Sequence, residues 1–172
     1  MNRFLDVDKA TEAILYISQE TSDLFHIVKV LYYADKLHLE KYGRLITGDS
    51  YIAMEDGPVP SGAYDLIKYV RGDPYQYEKK IIDAHPERSF RVNKNEVIPI
   101  RNPDEDCFSD SDIECLDEAI KKYADMDGGL LWREVHKEKS YKKTGRNKTI
   151  QLVDIINLDI PNGNEILEFL DS

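Results

Sequence analysis

The chain has 172 residues, with 33 Asp and Glu against 23 Lys and Arg, a formal net charge of −10. Such an acidic surface repels phosphate backbones, which makes a nucleic-acid partner an unfavourable reading and suits a basic protein partner. A hydrophobic share of 41% supplies one core at a length that fits one domain spanning 1–172. No apolar run approaches the ~18 residues a membrane span needs.

In chain order, Ala10, Ala13, Ile14 and Ile17 recur at helical spacing, which predicts a first helix over about 8–19 with Asp6 or Asp8 as its cap. Thr21 and Ser22 end it and offer the next cap. The run from Asp23 to Gly43 places Leu24, Ile27, Val28, Leu31, Ala34 and His38 on one face, so a long central helix stopping at Gly43 is expected. The period then changes, and Tyr51–Met54 reads as a short strand. Gly57–Pro58–Val59–Pro60–Ser61–Gly62 reads as a stiff loop, because each proline locks its own φ and drives its predecessor out of the helical region. Ser61 is the expected cap of a third helix, with Tyr64, Leu66, Ile67 and Val70 inward and a stop near Gly72.

Residues 75–89 read as polar and irregular. Phe90–Val92 and Val97–Ile100 suggest a hairpin whose Pro99 confines the second arm to an edge. An acidic loop then offers Ser109 or Ser111 as cap for a helix carrying Ile113, Leu116, Ile120 and Tyr123. The glycines of 127–129 read as a turn. Further helices are expected at about 129–138 and 161–170. The sum is a helix-dominated α+β single domain with a small antiparallel sheet.

The N-terminal stretch carries acids where a secretory leader would carry a basic start and an apolar run, and Cys107 and Cys115 form no metal-ligand spacing. A cytoplasmic protein with reduced thiols is therefore expected. Asp35 and His38, three apart on one helix, share a face. They could orient a base or hold a metal, or else bond to each other or to the backbone of the 44–62 loop. No third ligand stands at helical spacing, so no metal and no cofactor is expected. Ser61 lacks the flanking glycines of a nucleophile elbow, because Val59 and Ala63 occupy those places. Residues 136–148 hold five Lys, one Arg and one Glu, a local charge of +5 that reads as a solvated, mobile loop outside the partner contact.

The stretch from Lys29 to Lys68 resembles the core motif of the Panacea, or SocA-like, antitoxin domain. Its elements are Leu31–Tyr32, Ala34–Asp35, Leu37–His38–Leu39, Tyr42–Gly43, Ile46–Thr47–Gly48–Asp49, Gly57–Pro58–Val59–Pro60, Ser61 and Tyr64–Asp65. Trp132 and His136 are similar to the family's C-terminal block, and a helical extension over about 139–172 follows. The resemblance implies the antitoxin of a bacterial, phage-associated type II toxin–antitoxin module, which neutralises a cognate toxin by direct contact. It implies no catalytic residues. Tyr32, Asp35, His38, Asp49, Pro58, Pro60, Ser61 and Tyr64 are the candidate partner-binding residues, and a homo-oligomer is left open. The alternatives are a hydrolase or metal-dependent enzyme built on Asp35 and His38, and a nucleic-acid-binding regulator built on 136–148.

Overall fold

A computed structural model describes residues 5–172; residues 1–4, the start of the stretch read for a leader, lie outside it. Helix α1 (Val7–Ser18) is capped by Asp6, whose carboxylate accepts the Lys9 N–H. Helix α2 (Leu24–Tyr42) is capped by Asp23, not by Thr21 or Ser22, and ends at Gly43 as expected. Strands β1 (Tyr51–Met54) and β2 (Gly57–Pro60) form a hairpin across Glu55–Asp56. Helix α3 (Ser61–Arg71) follows directly.

The GPVP segment is thus an edge strand and not a loop. Its register pairs Ile52 with Val59, and the Ser61 N–H donates to the Ser50 carbonyl. Residues 57, 59 and 61 therefore face β1. Pro58 and Pro60 fall on the outward parity of the edge, where no N–H is needed.

The region expected to be irregular holds a short helix, α4 (Lys79–Asp83), and a 3-10 turn at Pro86–Arg88. Strands β3 (Phe90–Asn93) and β4 (Glu96–Pro99) form the predicted hairpin as a separate two-stranded sheet. Helix α5 (Asp110–Tyr123) begins with a capping box made by Ser109 and Asp112, which satisfies two orphan N–H groups reciprocally. The glycines after Asp127 open a helix, α6 (Gly128–Val135), with Asp127 as its cap.

The basic stretch also differs from expectation. It folds into helix α7 (Lys139–Lys143), whose first N–H groups, on Lys139 and Ser140, donate to the Asp159 carboxylate. Several of its cations are paired: Lys143 with Asp154 at 2.9 Å, Arg146 with Glu55 at 3.2 Å, and Lys137 with Glu134 at 2.8 Å. Strand β5 (Thr149–Ile150) joins the other side of β1, giving the order β2-β1-β5. Helices α8 (Leu152–Asp159) and α9 (Gly163–Asp171) complete the described chain; both fall in the helical extension expected over about 139–172, in which only the last helix, at about 161–170, was placed individually.

Helix α2 is the axis. One side packs in a core with α1, α3, α5 and the β3–β4 hairpin, through Ile14, Ile27, Leu31, Leu66, Phe90 and Leu116. Its other side meets a second core of Tyr32, Leu39, Tyr51, Ile150, Ile155, Ile156 and Ile166. Each fully buried Leu or Ile contributes about 1.5–3 kcal/mol. Gly163 lets α9 start against α8, since a Cβ there would run into the Ile156 carbonyl.

His26 ties the start of α2 to the α5–α6 connection. Its Nδ1 lies 2.6 Å from the Asp23 carboxylate and its Nε2 2.6 Å from the Met126 carbonyl. Burial opposes the charge, but these two acceptors outweigh it and raise the pKa above 6.5. A histidine pKa raised on folding gives stability that is present below the unfolded value and lost as pH climbs through the folded one. His26→Ala should therefore cost about 1.5–3 kcal/mol at pH 6 and visibly less at pH 9. Urea unfolding at both pH values checks this, and an equal loss at both would sink it.

Candidate functional site

Burial and backbone bonding dominate the motif side chains. The Asp35 carboxylate accepts the Ile46 N–H at 2.7 Å and also accepts the Tyr51 hydroxyl. His38 Nδ1 lies 2.8 Å from the Arg44 carbonyl, and Nε2 lies 2.9 Å from Ser111 Oγ. Of the two arrangements left open, the one to the 44–62 loop is formed, and Asp35 and His38 make no hydrogen bond to each other. Burial pushes the Asp35 carboxyl up to about 7 against the pull of its two donors. Burial also lowers His38. A neutral ring donates from Nδ1 to Arg44, which leaves Nε2 to accept from Ser111. The serine beside His38 is thus Ser111 of α5 and not Ser61.

Asp49 does what Ser61 was expected to do. The residue before α3 is Pro60, which has no capping side chain. The Asp49 carboxylate instead accepts the N–H of Gly62 at 2.8 Å and of Ala63 at 2.9 Å, as well as that of Ser50 at 2.7 Å. A carboxylate at a helix N-terminus satisfies orphan donors and complements the dipole. Burial still raises the Asp49 pKa, against these three donors. The cap comes from twelve residues before the helix, so no local pattern around Ser61 reveals it.

Lys29 is the residue that the sequence reading passed over. It is 1% exposed, and its Nζ donates to the Pro58 carbonyl at 2.8 Å. The Phe25 ring lies 5.4 Å from the ammonium. Burial lowers its pKa to about 7, against the pull of the Asp56 charge. The β1–β2 hairpin lies directly on it: at Gly57, φ +108°, a Cβ would sit 2.8 Å from Val135 and 3.3 Å from Lys29 Nζ. The one available signal was a lysine set between Val28 and Val30 on a helix that is otherwise apolar there.

The hairpin turn is gripped from the C-terminal side. Trp132 Nε1 donates to Asp56 at 3.2 Å, and Tyr141 donates its hydroxyl to the Met54 carbonyl at 2.6 Å. His136 stacks on Trp132 with centroids 3.6 Å apart and places Nε2 2.9 Å from the Glu55 carbonyl. Tyr141 belongs to the basic segment, so that segment helps to build the frame.

Among the eight candidate partner-binding residues, Tyr32, Asp35, His38, Asp49, Pro58 and Pro60 are buried, while Ser61 and Tyr64 are half-buried. The structure brings Tyr32, Asp35 and Tyr51 together, with the Tyr32 and Tyr51 rings edge to face at 5.2 Å. It leaves Ser61 and Tyr64 at the start of α3. Among the described residues no group of three or more His, Cys, Asp and Glu is placed to hold a metal ion. No described helix is long and apolar enough to cross a membrane. Cys107 is exposed and Cys115 buried, both as free thiols.

This frame of α2, the 44–50 loop, the hairpin, α3, α5, α6 and α7 coincides with a match to the family described as antitoxin SocA-like, Panacea domain, over residues 27–142. The chain belongs to the SocA-like Panacea-domain family. No curated protein and no solved structure matches it. In this Panacea-domain chain the family match holds the buried polar ties of α2 and the cap of α3. It stops within α7, before β5, α8 and α9.

Proposed function

We propose that this chain is the antitoxin of a type II toxin–antitoxin module and neutralises its cognate toxin by direct protein–protein binding in the bacterial cytoplasm. The observation that carries the reading is the family match over 27–142, whose description is that of an antitoxin. The geometry supports a binding role. Asp35, His38 and Asp49 spend their polar atoms on backbone and buried partners, and a hydrolytic pairing of Ser61 with His38 is not formed. In this reading the six buried motif residues shape the frame that a partner meets, and Ser61 and Tyr64 lie where contact is feasible. A net charge of −10 suits a basic toxin, since complementary fields speed encounter and disfavour wrong partners.

Co-expression with the product of the neighbouring gene tests this. That product alone should arrest growth, this chain should restore it, and the two should co-purify. Absence of rescue overturns the antitoxin reading. Rescue with no complex at micromolar concentrations overturns neutralisation by direct binding.

A further inference from the structure

The step from α6 into α7 buries an acid that the proposed function does not use. Glu138 stands one residue before α7 and is 7% exposed. Asp159, the last residue of α8, accepts the N–H groups of the two residues that follow it, Lys139 at 2.7 Å and Ser140 at 3.0 Å. Those bonds hold the Asp159 carboxylate against the Glu138 carboxyl, and the two hydrogen-bond to each other. From α2, Lys36 Nζ donates to Glu138 Oε1 at 2.7 Å.

Two carboxyl groups in contact and out of water hold one proton between them, since two like charges there repel. Lys36 brings a single positive charge to the pair. Burial pushes the Glu138 carboxyl up to about 7 against the pull of Lys36, and Asp159 pushes it the same way as burial. Tyr32 and Tyr33 of α2 are the other titratable groups that feel the pair. Burial, and after it the Glu138 charge, hold both hydroxyls above the ordinary tyrosine range, so neither competes for the proton. Tyr123 of α5 stacks on Tyr33 at 4.0 Å, and Glu134 of α6, the further acid near that ring, is paired with Lys137.

This pair sits at a joint. The family match ends within α7, and α8 and α9 lie beyond it. Asp159 ends α8, and three residues later Asn162 donates to the Glu40 carbonyl of α2 as α9 begins. Whatever separates Asp159 from Glu138 therefore acts on the seat of both C-terminal helices. We propose that Glu138 and Asp159 form a pH-sensitive clasp, which holds α8 and α9 on the shared domain while the two acids share a proton and loosens them when it leaves. The sign follows from proton linkage. Closed, the clasp binds more protons than an open one between the ordinary glutamate value of 4.5 and about 7. Its hold therefore weakens as pH rises through that window, and the full loss is present above it.

Hydrogen exchange of the full chain at pH 5, 6.5, 8 and 9, corrected for the intrinsic chemical rate, tests this without any partner. Peptides from α7, α8 and α9 should lose protection by at least about tenfold between pH 5 and 8, within the few-hundredfold change in proton affinity that the raised value represents, and then level off. Glu138→Gln donates to Asp159 at every pH, so its protection should not fall across that range. Asp159→Asn keeps an acceptor for the Lys139 and Ser140 amides but removes the opposing charge, and should move the midpoint down. Lys36→Met removes the cation and should move it up. Wild-type protection that is constant with pH overturns the clasp, as does a Glu138→Gln protein that keeps the wild-type pH dependence. Should Glu138→Gln not fold, the opposite midpoint shifts of the other two variants decide, and equal midpoints in both overturn the assignment. None of these outcomes touches the antitoxin reading, which the co-expression experiment decides.

Discussion

Lys29→Met is expected to stabilise the protein at pH 6 and to lose that advantage by pH 10. In the fold, burial holds the Lys29 ammonium at a pKa of about 7, against 10.5 for an ordinary lysine. At about 1.4 kcal/mol for each tenfold change in proton affinity, that lowering corresponds to on the order of 5 kcal/mol. A lysine pKa lowered on folding means the unfolded chain binds more protons between pH 7 and 10.5. Wild-type stability therefore climbs through that window, and the full cost is present below it. Methionine fills the same apolar slot beside Phe25 and Val135 without a charge. It leaves the Pro58 carbonyl without its donor, at about 1–3 kcal/mol. The balance at pH 6 is a gain on the order of 2 kcal/mol, and at pH 10 the lost hydrogen bond should dominate and reverse the sign. Urea unfolding of both proteins at pH 6, 8 and 10 measures this. A difference that stays constant with pH would show that Lys29 keeps an ordinary proton affinity.

Asp49→Ala should be among the costliest single changes in the loop, and Ser61→Ala among the mildest. The Asp49 carboxylate satisfies the Ser50, Gly62 and Ala63 amides at once, and Asp49 is 2% exposed. Removing it leaves buried donors orphaned where water cannot easily replace it, a loss of about 3 kcal/mol. Asn at the same position keeps one acceptor oxygen and should fall between. Ser61 makes no capping bond and is half-buried, so its loss should stay within about 0.5 kcal/mol. Chemical denaturation of the three variants decides it. A Ser61→Ala loss equal to that of Asp49→Ala would return the cap to the serine.

Where a signal is local, the sequence was readable. Helix α2 announces itself through its apolar face and the stop at Gly43, and α5 through Ser109 and the run from Ile113 to Tyr123. The hairpin at 90–99 was legible from two apolar arms around Asn93–Glu96. The GPVP segment was misread because a proline argues against a strand in general, and only the register shows that both prolines fall on the outward edge. Helix α7 was hidden by its charge: Lys and Arg read as solvent, while the atoms that hold the segment are Tyr141, Ser140 and the distant Asp159. Strand β5 is only Thr149–Ile150, too short to show an alternation.

The candidate site shows the same division. Its residue types and their grouping were visible as a family motif, and the match over 27–142 bears that out. Which of them face solvent was not visible, because a polar side chain on a helix looks alike whether it reaches water or a loop carbonyl.

The sequence by itself determined the fold class, the central helix, the family and the acidic balance. Each follows from periodicity, capping chemistry, motif spacing or charge count, which are properties of neighbouring residues or of totals. The tertiary structure decided that Asp49 caps α3, that His38 meets Ser111, and that Lys29 lies sealed beneath the hairpin. These depend on groups distant in sequence arriving at one place, and burial there sets which hydrogen bonds form and what each charge costs.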